Sequence, residues 1–212
     1  MAAQSIWYFT DIPSKIVDNI EEDLKIKFDP HLEFSKVGSR GGDLNTNIRN
    51  ARNTWIPTSH WVSGFLWHYV QKANRENFLY DLEHIDGEAL QYTLYGEGEH
   101  YGWHTDSDIS DHYKPMHSNN HADGNGVATD FISMSCEKVR KLSFSLQLSD
   151  PEDYRGGNLQ LVDSSRKGKY YVAPRTRGSI ILFDSRTKHR VTKVTQGFRK
   201  SIVGWTVGPR WK

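Results

Sequence analysis

The chain has 212 residues, a formal net charge of +1 and a single cysteine, a length that suits one all-β domain with a core of its own. The near-neutral charge excludes a global electrostatic case for nucleic acid or membrane binding, and the lone Cys136 excludes an intramolecular disulfide framework and fits a reducing compartment. Met1-Ala-Ala-Gln-Ser-Ile-Trp-Tyr-Phe lacks the basic start and long apolar run of a secretory signal, and no apolar run is long enough to span a bilayer, so the cytoplasm of a cell or an infected host is the default location.

In chain order, the first expected element is a helix opening at Asp11-Ile-Pro-Ser, with cap-like residues ahead of Ile12, Ile16, Ile20 and Leu24 at helical spacing. Arg40-Gly-Gly-Asp through Arg52-Asn is rich in glycine, asparagine and arginine and reads as an irregular surface loop, from which Arg49 and Arg52 could reach a polar substrate. Thr58-Ser-His-Trp-Val then begins a second capped helix whose aromatic stripe suits a core. Leu90, Tyr92 and Leu94 alternate with Gln91, Thr93 and Tyr95, which places the start of a barrel there.

Ser107 to Asp130 holds His112, His117, His121 and the turn signal Asp123-Gly-Asn-Gly with almost no apolar periodicity, so it reads as an insert loop of the kind that serves as a lid. The three histidines match no closed zinc spacing. Strands resume at Lys141 to Ser149, where Leu142, Phe144, Leu146 and Leu148 face a core and Ser143, Ser145, Gln147 and Ser149 face the other way. Gly156-Gly157 turns the chain into Asn158-Leu-Gln-Leu-Val, and further strands follow at Lys169-Tyr-Tyr-Val-Ala-Pro, at Gly178 to Asp184 and at Arg199 to Val207. The expected fold is mainly β, a double-stranded β-helix or jelly roll with N-terminal supporting α-helices packed on one sheet. It forms one domain over residues 1–212: a helical support region over 1–88, and a core over 89–212 with the insert loop at 107–130.

The chemistry concentrates in Tyr101-Gly-Trp-His-Thr-Asp and in His189, which follows the apolar run 178–184. Residues two apart on a strand share a face, so His104 and Asp106 can reach one metal, with His189 delivered from across the barrel. Two histidines and one carboxylate form the facial set that holds Fe(II) and leaves positions open for a co-substrate and O2. Ten residues later, Arg199 begins an alternating segment that puts Ser201, Val203 and Trp205 on its own face and Lys200 on the other. A guanidinium fork inside a barrel suits the remote carboxylate of a dicarboxylic acid, and 2-oxoglutarate is that co-substrate. On the polar face of its strand, Gln147 is a further candidate for a hydrogen bond to the co-substrate.

The stretch from Leu142-Ser-Phe-Ser to Arg155-Gly-Gly-Asn-Leu, together with His189-Arg-Val-Thr-Lys-Val-Thr-Gln-Gly-Phe-Arg199, resembles the Fe(II)/2-oxoglutarate-dependent dioxygenases of the prolyl 4-hydroxylase superfamily, in particular the PKHD-type hydroxylases. The resemblance runs from about Ala89 to Trp211. It implies that His104, Asp106 and His189 bind iron and that Arg199 binds the C5 carboxylate of 2-oxoglutarate. It also implies that Tyr95 hydrogen-bonds the co-substrate, that Trp205 lines its pocket, that Tyr101 and Trp205 lie against the substrate and that Leu159 sits beside the metal. O2 is consumed, succinate and CO2 are released, and ascorbate is an auxiliary cofactor of such enzymes. Asp106 points to hydroxylation, because halogenating relatives carry Gly or Ala in its place.

The substrate expected from the resemblance is a prolyl or other residue of a peptide or protein, with a free amino acid as the alternative. A nucleic-acid demethylase of the AlkB type shares the ligand set, but the near-neutral charge argues against a base-stacking basic surface. A non-catalytic jelly-roll binding module has no need for all of His104, Asp106, His189 and Arg199.

Overall fold

The computed structural model describes residues 6–9, 12–35, 45–107, 138–163 and 169–211. His112, His117, His121, Cys136 and the insert beyond Ser107 therefore lie outside the described residues. Two α-helices, α1 (Ser14–Lys27) and α2 (Trp61–Ala73), three short helical turns and fifteen strands make up the regular structure among the described residues. The first eight strands are β1 (Ile6–Phe9), β2 (Glu33–Phe34), β3 (Arg49–Asn50), β4 (Arg52–Pro57), β5 (His84–Ile85), β6 (Ala89–Tyr95), β7 (His100–His104) and β8 (Lys138–Gln147). The others are β9 (Tyr154–Gly156), β10 (Leu159–Val162), β11 (Tyr170–Val172), β12 (Ile180–Asp184), β13 (His189–Val191), β14 (Val194–Gly197) and β15 (Arg199–Pro209).

Eight strands form a major sheet in the order β1-β12-β8-β15-β6-β4-β2, with β5 paired to β15. A minor sheet runs β11-β10-β13-β7-β3, and β14 and β9 pair separately. Every pairing is antiparallel. The strand period sorts side chains onto two cores. Leu142, Phe144 and Leu146 of β8 and Ile180 and Leu182 of β12 join Val17, Ile20 and Leu24 of α1 and Val62, Leu66 and Val70 of α2. Ile181 and Phe183, one position out of step, join Tyr95, Leu159, Leu161 and Val191 between the sheets. Each fully buried Leu or Ile contributes about 1.5–3 kcal/mol, so the helices cover one face of the major sheet and leave the other face to the minor sheet.

The structure departs from the sequence expectations at several points. The sheets do not begin at Ala89, since β1 to β5 precede it and residues 1–88 supply strands as well as helices. The described part of the expected loop 40–53 includes β3 and the start of β4, because Arg49 and Arg52 pair with Tyr101 and Leu94 across strand ladders. Neither helix has a side-chain cap: Pro13 and His60 occupy the cap positions, and Ser63 Oγ instead donates to the Pro57 carbonyl at 3.2 Å.

One glycine is required by packing. Gly204 of β15 lies opposite Phe144 of β8, where a Cβ would run into the Phe144 ring and come within 2.7 Å of Leu90 Cδ2. Gly204→Ala is expected to cost about 1–3 kcal/mol through overpacking, read from the urea unfolding midpoint. Unchanged stability would mean that β15 and β8 are not in this register.

Candidate metal centre and co-substrate pocket

A cavity of about 940 Å³ opens between the sheets. His104, Asp106 and His189 converge on it, with their potential ligand atoms all within 4.8 Å of one another. His104 Nε2 lies 3.7 Å from Asp106 Oδ1 and His189 Nε2 lies 3.4 Å from Asp106 Oδ2. His189 does not arrive from across the barrel. It is the direct cross-strand partner of His104 on the neighbouring strand of the minor sheet, because the turn after β12 carries the chain from one sheet to the other.

Local bonds aim each ligand. The other ring nitrogens, Nδ1 of His104 and of His189, meet the carbonyls of Gly102 at 2.8 Å and Thr187 at 2.9 Å. A carbonyl only accepts, so Nδ1 carries the proton in both rings and Nε2 keeps its lone pair for a metal. Asp106 lies just past β7, fixed by its backbone N–H donating to the Ser185 carbonyl at 2.9 Å. Ser143 Oγ donates to Asp106 Oδ2 at 2.7 Å, and Ser185 Oγ stands 3.0 Å from Ser143 Oγ, where it completes the relay as donor.

The electrostatics favour cation binding. Burial, with the neighbouring His189, pushes the His104 pKa down to about 4, so its lone pair is free at neutral pH. Burial alone would raise the Asp106 carboxyl, but His189, His104, Arg140 and the Ser143 hydrogen bond together hold it below the ordinary range. A neutral His104 imidazole and an ionised Asp106 carboxylate are thus presented together, with His189 Nε2 turned to the same point.

Tyr101 lies face to face with His104, at 3.6 Å between ring centroids and 16° between planes. By simple alternation Tyr101 and His104, three residues apart, belong on opposite faces. A bulge resolves this: His189 pairs with His104 and Val191 with Tyr101, so a step of two residues along β13 is matched by a step of three along β7, and both rings point inward. A second bulge, where Thr206 pairs with Leu142 and Val207 with Arg140, turns Arg140 into the cavity. Arg140 stacks over Trp205 at 4.3 Å and donates to Asp86 at 2.7 Å.

The co-substrate candidates line the same cavity. Arg199, Ser201, Val203 and Trp205 all face it from β15, whereas Lys200 borders a separate surface groove. Arg199 is 4 % exposed, and its contacts are a 3.3 Å hydrogen bond to Ser201 Oγ and the ring of Tyr95 at 5.7 Å. Among the described residues it has no carboxylate partner. Burial raises the pKa of the Tyr95 and Tyr101 phenols, which keeps both protonated as donors. Trp205 Nε1 is buried without a hydrogen-bond partner among the described residues, and Leu159 borders the cavity. Gln147 is the candidate that the structure does not bring there: its amide donates to the Ser149 carbonyl and the Tyr154 hydroxyl, at 3.1 and 3.2 Å, and it lines a small void beside Arg199. Ser143, Arg140 and Gln91 were missed as site residues. Ser143 had a signal in the polar face of its strand, whereas Arg140 is revealed only by the bulge.

The donor set fits a divalent iron. Three ligand atoms converge from one side with both histidine tautomers fixed, and an uncompensated buried guanidinium stands ready for a carboxylate.

Comparison with known proteins agrees with this geometry. Residues 90–207 match the 2OG-Fe(II) oxygenase superfamily. A PKHD-type hydroxylase of Synechococcus elongatus is 31% identical over 153 residues, which cover 70% of this chain and 64% of that protein. The chain spans between about a quarter and two thirds of the length of the curated relatives it matches. In fold it is similar to a prolyl-4-hydroxylase of Pseudomonas putida, with a TM-score of 0.66 at 18% identity over 98% of this chain and 94% of the other. It is also similar to a Trichoplax adhaerens prolyl hydroxylase solved with a peptide fragment of the hypoxia inducible factor oxygen degradation domain, with a TM-score of 0.67 at 15% identity over 95% and 83%. These likenesses establish the jelly-roll fold, and with more than half of its residues inside the family match the chain belongs to the 2OG-Fe(II) oxygenase superfamily.

Proposed function

We propose that the protein is an Fe(II)- and 2-oxoglutarate-dependent dioxygenase that hydroxylates a C–H bond, with a prolyl or other residue of a peptide or protein as the leading substrate class. The observation that carries this reading is the pairing of a three-ligand site with a buried arginine lacking a carboxylate partner, both facing one cavity. A binding module would have no use for that combination. The peptide substrate is supported by the fold likeness to a prolyl hydroxylase solved with a peptide. No helix among the described residues is long and apolar enough to cross a membrane.

Iron would be held by His104 Nε2, an Asp106 carboxylate oxygen and His189 Nε2, and when bound it supplies the oxidation that couples conversion of 2-oxoglutarate and O2 to succinate and CO2 with insertion of oxygen into the substrate C–H bond. Arg199 would bind the C5 carboxylate through its fork, with Ser201 fixing the guanidinium and the Tyr95 phenol donating a further hydrogen bond. Leu159, Phe183 and Val191 give the cavity an apolar wall near the ligands, which limits water there. Tyr101 and Trp205 offer flat faces to a substrate ring.

Stoichiometric succinate release from 2-oxoglutarate, dependent on Fe(II) and abolished by a chelator, is the direct test. Asp106→Ala is expected to lose this turnover, and near wild-type turnover in that variant would refute the ligand assignment. Arg199→Ala is expected to weaken 2-oxoglutarate binding a hundredfold or more, since breaking a buried ion pair costs about 3–5 kcal/mol. Lys200→Ala, at a half-buried charge that borders a separate groove away from the cavity, should leave it nearly unchanged. A larger loss in Lys200→Ala, measured by titrating both iron-loaded variants, would contradict the strand register.

A further inference from the structure

Three arginines line the cavity, and they are not equivalent. Arg140 is balanced by Asp86 at 2.7 Å. Arg199 is assigned to the co-substrate by the reading above. That leaves Arg49, whose neighbour Arg52 is held by Glu99 at 3.5 Å. Arg49 Nη2 donates to Gln91 Oε1 at 2.6 Å, a neutral acceptor, while its Nε is buried with no hydrogen-bond partner. Among the described residues no carboxylate lies within ion-pairing distance of it.

Its placement is specific. Arg49 pairs with Tyr101 in the minor sheet, yet its side chain crosses the cavity to Gln91 of the major sheet. On the way its guanidinium covers the Tyr101 ring at 4.8 Å, and that ring is stacked on the metal-ligand candidate His104. Gln91 is itself approached by Thr93 Oγ1 at 3.3 Å, so the receiving amide is fixed. A guanidinium has five N–H donors, and burying one of them unpaired costs free energy unless a ligand supplies the acceptor. A carboxylate is the acceptor whose two oxygens match the fork.

We propose that Arg49, set by Gln91 and Tyr101, anchors a carboxylate carried by the substrate, so that the substrate class is a carboxylate-bearing molecule. The anion belongs either to an α-carboxylate, in a free amino acid or at a peptide C terminus, or to an acidic side chain within a peptide. This inference rests on the dioxygenase reading, in which Arg199 is already engaged by 2-oxoglutarate. It adds a constraint that reading lacks: the substrate presents an anionic group to Arg49 while its reacting carbon faces the metal ligands in the same cavity.

The test is calorimetric titration of the Fe(II)- and 2-oxoglutarate-loaded protein without oxygen, using matched probes. One arm compares free and N-acetylated amino acids with their carboxamides, and the other compares acetylated, amidated tripeptides containing Asp or Glu with their Asn or Gln counterparts. In at least one arm the carboxylate member should bind about tenfold or more tightly than its neutral match, as expected for a charge-assisted fork. The arm that shows it identifies the source of the anion. Arg49→Met should abolish the preference and Arg49→Lys should keep part of it, with 2-oxoglutarate affinity and melting temperature held in both. The inference is overturned if no pair shows a preference, if the preference survives Arg49→Met, or if Arg49→Met loses 2-oxoglutarate instead. Failure of the wild-type protein to bind 2-oxoglutarate at all would bring down the dioxygenase reading and this inference with it, an outcome distinct from a missing carboxylate preference.

Discussion

A carboxylate kept ionised inside the protein is the constraint around which the site is built. The Asp106 side chain is largely enclosed, and burial by itself would drive it towards its neutral acid. What holds it charged is the company of His104 and His189, the hydrogen bond from Ser143 and the more distant Arg140. These groups come from three strands, His104 from β7, His189 from β13, and Ser143 and Arg140 from β8. The carboxylate is therefore only as well placed as the joint between the two sheets, where the Ser185 carbonyl receives the Asp106 amide and the Ser185 hydroxyl supports Ser143. The turn between β12 and β13 has to close for the ligand set to exist.

That dependence explains which parts of the molecule were legible in the sequence. Period-two alternation sorted Leu142, Phe144 and Leu146 from Ser143 and Ser145, and it put Arg199, Ser201 and Trp205 on one face and Lys200 on the other. It could not foresee the bulges, because one extra residue on one strand changes the inward set without changing the composition of either strand. The bulge in β7 brings Tyr101 onto His104, and that in β8 turns Arg140 into the cavity over the Trp205 ring. Gln147 shows the opposite failure. Alternation gave it the correct face, but nearby acceptors in Ser149 and Tyr154 claim its amide. The two-residue strand containing Arg49 was illegible for a third reason: its sequence is turn-like, and only pairing with β7 makes it a strand.

The interior also has a sign. Arg49, Arg140 and Arg199 bring three guanidinium groups to the cavity of a protein whose formal net charge is only +1. Low net charge says little about a site where charges of one sign gather between low-dielectric walls. With Arg140 paired to Asp86, the remaining two cations mark two directions from the metal ligands, one towards Ser201 and Tyr95 and one towards Gln91 and Tyr101. A dianionic co-substrate and an anionic substrate would fill them without competing for the same fork.

The central claim is that metal and co-substrate share one site assembled by His104, Asp106 and His189. Titrating Fe(II) and then 2-oxoglutarate into the metal-free protein without oxygen tests it most directly. The account expects one iron per chain, 2-oxoglutarate binding that strengthens sharply once iron is present, and loss of both in His189→Ala. Binding of 2-oxoglutarate that is equally tight with and without iron, or that is untouched in His189→Ala, would contradict it.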